Sequence, residues 1–221
     1  MKKLVIFDLD GTLLNTIADL SNASNYALTQ CGFPTHAPSS YPYFVGNGVS
    51  KLLERIVPED ERSQSTLQKM RQFFSEYYNT HCTDFTTPYP GIPELIKELT
   101  DNGISVAVAS NKYQEAVSKL ISHFFPDIQW AAVEGQKEGR HTKPDPSIIF
   151  EILSQHPTAK SEVLYVGDSG IDMETARRAC VQSCGVAWGF RPVSELKENY
   201  ADNIVDSPQE IYDIAISENI I

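Results

Sequence analysis

The sequence predicts an α/β protein: a doubly wound, three-layer parallel sheet with an all-helical cap inserted after the first strand. Three observations lead there. The chain opens on Leu4-Val5-Ile6-Phe7, four consecutive apolar residues that fit a strand buried on both faces. Beyond Pro88, short apolar runs alternate with helix-period stripes, and that alternation requires parallel pairing through helical crossovers. Between these two parts, residues 15–85 carry helix signals and no convincing strand. The expected division is an α/β core of residues 1–14 and 86–221 and a helical cap of residues 15–85.

After the opening strand, Thr16 to Cys31 reads as a helix with Asn15 as a candidate N-cap and Gly32-Phe33-Pro34 as its stop. A turn-rich stretch to Gly46-Asn47-Gly48 leads to a short helix carrying Leu52, Leu53 and Ile56, which Pro58 ends. A longer helix follows to about Cys82, with Leu67, Met70, Phe74, Tyr77 and His81 on one stripe. Ile92, Leu95, Ile96 and Leu99 trace the next helix, closed by Asn102-Gly103. Ile104 to Ala109 is a strand, and Tyr113 to Phe124 a helix. A short strand at Trp130 to Val133 precedes a polar loop, Glu134 to Thr142, and a helix at Pro146 to Ser154. Val163 to Val166 and Cys184 to Trp188 read as strands around a helix at Ile171 to Ala179. A helix near Val193 to Tyr200, a strand at Asn203 to Val205 and a tail helix complete the chain.

Composition narrows the function. With 221 residues, 41% hydrophobic and 21% charged, the chain can bury a real core and matches an ordinary soluble protein. A net charge of −11 argues against a nucleic-acid backbone binder, since there is no basic excess to displace counterions, but leaves room for a small phosphorylated substrate that needs only a local positive site. Lys2 and Lys3 imitate the start of a signal peptide, but Asp8 interrupts the apolar run too early. No stretch approaches the roughly 20 apolar residues of a membrane span. Cys31, Cys82, Cys180 and Cys184 form no metal-type spacing and read as packing residues of a reduced, cytoplasmic protein.

Four polar groups carry chemistry. Asp8 and Asp10 follow the first strand one residue apart, where open α/β sheets place their ligands, and share a side if the strand continues. Gly11 lets the chain turn, and Thr12 can offer a hydroxyl or N–H to an anion. Ser110-Asn111-Lys112 follows the second strand of the core; its hydroxyl and backbone N–H groups can hold phosphate oxygens, although alone the group reads better as an N-cap. Lys112 itself is expected to be solvated. Lys143 stands on a loop stiffened by Pro144 and Pro146. Asp168 and Asp172 lie one helical turn apart after a buried strand and, on the same sheet edge as Asp8, make an oxygen-donor site suited to Mg²⁺.

The string Asp8-Leu9-Asp10-Gly11-Thr12-Leu13, taken with Ser110, Lys143 and Asp168 in that order, closely resembles the four motifs of the haloacid dehalogenase-like phosphohydrolases. Softer matches at Gly46-Asn47-Gly48-Val49, Tyr89-Pro90-Gly91 and Trp188-Gly189-Phe190-Arg191 are reminiscent of the phosphoglycolate phosphatase-like branch. The resemblance implies a Rossmann-like core under a helical cap. It implies Asp8 as nucleophile and Asp10 as general acid/base. Thr12, Ser110, Asn111 and Lys143 would bind the phosphoryl group, while Asp8, Asp10 through its carbonyl, and Asp168 would hold Mg²⁺, with Asp172 positioning a metal water or Lys143. The implied partner is a small phosphorylated metabolite such as 2-phosphoglycolate, with no nucleic acid or membrane, and the protein would be a monomer or small homo-oligomer.

Three rivals share parts of this pattern. A haloacid dehalogenase would lack the acid at Asp10. A β-phosphoglucomutase-like mutase uses the same Asp pair but would be expected to carry a basic cap loop, where Gly46 to Lys51 offers only Lys51. A receiver-domain switch would place its phosphoacceptor after the third strand and have no helical insertion.

Overall fold

The computed structural model describes residues 1–217. Strand β1 (Leu4–Phe7) is followed by the short strand β2 (Leu14–Asn15) and by helices α1 (Ile17–Gln30), α2 (Tyr41–Phe44), α3 (Gly48–Ile56) and α4 (Gln64–His81). Strand β3 (Thr87–Pro88) returns the chain to α5 (Ile92–Asp101), β4 (Ser105–Tyr113), α6 (Gln114–Phe124) and β5 (Ala132–Gln136). Then come α7 (Ser147–Gln155), β6 (Val163–Gly167), α8 (Gly170–Ala179), β7 (Gln182–Val186), α9 (Val193–Glu198), β8 (Asn203–Val205) and α10 (Pro208–Ile216). Six of these strands form one parallel sheet in the order β5-β4-β1-β6-β7-β8.

Period-two alternation sorts the central strands onto two faces. Val5, Phe7, Val106, Val108, Leu164 and Val166 point into one apolar layer with α5, α6 and α10. Leu4, Ile6, Ala107, Ala109, Val163 and Tyr165 point into the other, against Ile148, Ile149 and Ile152 of α7 and Ala176 and Ala179 of α8. Both faces of β1 are covered, which is why its sequence is an unbroken apolar run. This is the expected three-layer doubly wound architecture.

The helical segment leaves and rejoins the sheet at one place. β2 and β3 pair antiparallel, Leu14 opposite Pro88 and Asn15 opposite Thr87. The buried Asp19 carboxylate on α1 accepts from the Phe85 and Thr86 N–H groups and from the Thr86 hydroxyl, the last at 2.7 Å. These four residues of strand were too short to leave a periodicity in the sequence, so the stretch read there as strand-free carries one strand residue, Asn15.

Of the elements that differ from their expected bounds, such as β7 at Gln182–Val186 rather than Cys184 to Trp188, two change the surroundings of polar residues. β5 is Ala132–Gln136 and takes in Glu134, which the sequence assigned to a loop. Glu134 is buried because Lys137, Arg140 and Gln155 surround its carboxylate. β4 does not stop at Ala109: it runs to Tyr113 through a register shift against β5, so Ser110-Asn111-Lys112 lies inside the strand's span.

Candidate active site

All four chemistry-bearing groups meet at the C-terminal edge of the sheet. Asp8 emerges directly from β1, its N–H held by the Val166 carbonyl at 2.8 Å. The chain turns at once at Gly11, whose φ of +90° an L side chain rarely adopts; a Cβ there would also lie 2.3 Å from Asp168 Oδ2. Gly189 is required by space alone, since a Cβ on it would meet that of Asp168 at 2.1 Å.

Lys143 crosses to this edge and is buried. Its Nζ has four oxygens within hydrogen-bond distance of its three N–H groups: Asp8 Oδ1 at 2.8 Å, Asp172 Oδ1 at 2.7 Å, the Tyr165 hydroxyl at 3.0 Å and the Ala109 carbonyl at 3.1 Å. Asn111 fixes the approach of this loop: its Oδ1 accepts from the Lys143 N–H at 2.8 Å, and its Nδ2 donates to the carbonyls of Lys143 and Gly46. Asp172 caps α8, its Oδ2 accepting from the Ser169 hydroxyl and N–H, while Oδ1 faces Lys143. Asp168 Oδ2 accepts the Phe190 N–H at 2.7 Å.

Asp8, Asp168 and Asp172 each place a carboxylate oxygen within 4.8 Å of the others, all buried. Three such acids against one ammonium leave an excess of negative charge in a dry place. Burial pushes the Asp8 carboxyl up to about 7 against the pull of Lys143, with Asp172 and Asp10 adding to the rise. Burial, then Asp172 and Asp8, holds Asp168 well above the usual carboxylate range. For Lys143 burial works downward, but Asp172 and Asp8 outweigh it and keep the ammonium charged. A hard cation coordinated by oxygens would relieve this imbalance, and the donor set fits one.

Asp10 lies beside this cluster and is held differently. Its Oδ1 accepts from the Thr16 hydroxyl at 2.7 Å, and Lys112 Nζ stands 2.9 and 3.1 Å from its two oxygens. This corrects the expectation of a solvated Lys112: its side chain is 4% exposed, paired with Asp10 and covered by the Tyr78 ring. Ser110 is buried and its Oγ accepts from the Lys112 N–H. Thr12 is fully buried; its N–H goes to the Leu9 carbonyl at 3.3 Å and its hydroxyl has no partner among the described residues. Asp8, Asp10, Ser110, Asn111 and Lys112 line a pocket whose other wall is Leu20, Val45, Val49, Leu52, Phe74 and Tyr78.

Sequence reasoning missed Lys112, Thr16, Tyr78 and Tyr165. Tyr165 left a signal, because a phenol inside the aliphatic strand Val163-Leu164-Tyr165-Val166 needs a polar partner when buried. The others depend on contacts across more than one element and left none.

A model of the haloacid dehalogenase-like hydrolases matches residues 5–186. A phosphoglycolate phosphatase of Aquifex aeolicus is 30% identical over 196 residues, covering 85% of this chain and 86% of that protein. One from Vibrio parahaemolyticus is 28% identical over 217 residues, covering 96% and 95%. A crystal structure from Lactobacillus delbrueckii subsp. bulgaricus, of a protein provisionally named phosphoglycolate phosphatase, superposes with a TM-score of 0.92 at 34% identity and covers 99% of this chain and 100% of its own. With the family model spanning most of the chain and this fold beneath it, the protein belongs to the haloacid dehalogenase-like hydrolases.

Proposed function

We propose that this protein is a Mg²⁺-dependent phosphatase that hydrolyses a small phosphate monoester, 2-phosphoglycolate first, through an aspartyl-phosphate on Asp8. The observation that carries the reading is the buried Lys143 ammonium held between Asp8 and Asp172, directly behind the Asp8 carboxylate that lines the pocket. A carboxylate so placed has an approach to phosphorus and a cation beside it for the phosphoryl oxygens. The names of the relatives supply the candidate substrate.

Asp8 attacks phosphorus, and the bond to the ester oxygen breaks as Asp10 gives that oxygen its proton, releasing the alcohol. Water then attacks the aspartyl-phosphate, Asp10 takes the water's proton, and the bond to Asp8 breaks to free inorganic phosphate. Lys143 and the Ser110 hydroxyl hold the phosphoryl oxygens through both steps; Thr12 and Asn111, expected from the sequence to bind them too, instead shape the loops around them, because the Thr12 N–H goes to the Leu9 carbonyl and the Asn111 amide to Lys143 and Gly46. Asp172 keeps Lys143 in place. Bound by Asp8, Asp168 and the Asp10 carbonyl, Mg²⁺ would supply the charge neutralisation that lets a phosphate dianion enter this acidic site.

Residues 15–85 serve as the cap. Leu20, Val45, Leu52, Phe74 and Tyr78 from this segment wall the cavity, so the ester's organic part lies against them and a small one fits. The paired β2 and β3 with Asp19 form the hinge, and closure excludes water during phosphoryl transfer. Four free cysteines support a cytoplasmic location.

The test is phosphate release across a panel of small phosphate esters with Mg²⁺, for wild type and Asp8→Asn. We expect turnover of 2-phosphoglycolate ahead of phosphopeptides and a loss of at least about 1,000-fold in Asp8→Asn. Full activity in that variant, or phosphoryl transfer within a sugar phosphate without release of phosphate, would sink the reading.

A further inference from the structure

We propose that Lys112 is a positioning residue that fixes the Asp10 carboxylate for proton transfer, and that Tyr78 on helix α4 completes the placement. The inference rests on the role given to Asp10 above. Lys112 Nζ reaches both Asp10 oxygens, at 2.9 and 3.1 Å, so the carboxylate cannot rotate without breaking a contact. The Thr16 hydroxyl adds a third bond at 2.7 Å, to Oδ1. Oδ1 thus accepts two bonds and Oδ2 one, which leaves Oδ2 as the oxygen with a free lone pair to exchange a proton with the ester or water.

Lys112 Nζ commits its contacts at 2.9 and 3.1 Å to the two Asp10 oxygens, and the Tyr78 ring covers another flank, its centroid 4.7 Å from Nζ. The three residues come from separate parts of the chain: Asp10 after β1, Lys112 in β4, Tyr78 in α4. Since Tyr78 belongs to the helical segment over the cavity, the placement of Asp10 is complete only with that segment in the position seen here.

A misplaced acid penalises poor leaving groups most. An alkoxide needs its proton as it departs, whereas p-nitrophenolate leaves almost unaided. The experiment measures kcat/KM, which covers only the steps through release of the alcohol, for p-nitrophenyl phosphate and for an alkyl phosphate with a neutral tail that the wild type turns over. In Lys112→Met we expect the alkyl value to fall about 30- to 100-fold and the alkyl-to-aryl ratio at least about tenfold. Lys112→Arg should recover part of that ratio. Tyr78→Leu, which removes the ring beside Nζ, should lower it by a smaller factor. In an Asp10→Asn background, Lys112→Met should add no further loss for the alkyl ester.

Equal loss on both esters, or a full additional loss in the Asp10→Asn background, would overturn the proposal. Should Lys112→Met not fold, an unmoved ratio in Tyr78→Leu does so by itself. An Asp10→Asn variant that keeps its alkyl activity removes the proton-transfer role of Asp10 and this inference with it. An impaired Asp10→Asn beside an unimpaired Lys112→Met removes the inference alone.

Discussion

Asp172 Oδ1 lies 2.7 Å from Lys143 Nζ, and both side chains are almost completely buried. The same nitrogen is 2.8 Å from Asp8 Oδ1. One ammonium therefore joins the acid at the end of β1 to the acid that caps α8, and its charge is shared between them.

Replacing that ammonium should affect both. In Lys143→Met we expect phosphate release to fall at least about 100-fold. Removing one member of a buried charge pair costs about 3–5 kcal/mol, and a chain of this size melts about 2–4 °C lower per kcal/mol. A melting temperature unchanged in the absence of Mg²⁺ would show that the carboxylates do not depend on Lys143.

The acid cluster should respond directly to a divalent cation. Binding to the folded state alone adds about 2.7 kcal/mol at a concentration one hundred times Kd. We expect Mg²⁺ to raise the melting temperature of the wild type by several degrees and to leave Asp168→Asn unmoved. Chelation should stop phosphate release, and Mg²⁺ should restore it. Coincident melts with and without Mg²⁺ would remove Asp8 and Asp168 as a cation site.

Asp19 gives a prediction for the proposed hinge. Its carboxylate is the acceptor for the Phe85 and Thr86 N–H groups, and Asp19→Ala leaves the buried Thr86 N–H without it. An unsatisfied buried donor costs about 1–3 kcal/mol. We expect a lower melting temperature and, from a loosened β2–β3 pair, faster proteolysis near Phe85. A melt within error of wild type would show that water replaces the carboxylate there.

Glu134 sets an acid limit on stability away from the active site. Burial works to raise its carboxyl, but hydrogen bonds from Lys137, Gln155 and Arg140 outweigh burial and hold it below its usual 4.5. A depressed folded-state pKa stabilises the protein above the unfolded value, and that contribution disappears as pH falls through the folded one. Glu134→Gln should therefore cost stability at neutral pH and flatten the loss of melting temperature below about pH 4.5. Parallel pH profiles for the two proteins would exclude Glu134 as a contributor.

The sheet was legible in the sequence because β1, β4 and β6 are buried on both faces and their apolar runs record it. Asp8, Asp10, Lys143, Asp168 and Asp172 were legible as well, since each stands at or just after such a run or beside a proline that fixes the loop. The surroundings of Asp10 were not. Lys112 looked solvated because lysines at the ends of strands usually are, and only folding brings Asp10 and Tyr78 to it. Glu134 escaped for a related reason: Lys137 and Arg140 made its neighbourhood read as a polar loop, although those charges are what allow it to be buried.

The position of β1 bears on how the chain reaches this state. β1 lies between β4 and β6, strands supplied from well beyond the helical segment, so the centre of the sheet cannot zip up from neighbouring residues. Rates fall as native contacts become more distant along the chain. The antiparallel meeting of Leu14 with Pro88 changes the effective distance: once it closes, the helices between are looped out and β1 is only a helix away from β4. The small ladder of β2 and β3, whose Leu14 is fully buried in the core, is therefore where we expect the folding nucleus to be most sensitive to substitution, with changes at Leu14 slowing refolding more than they speed unfolding.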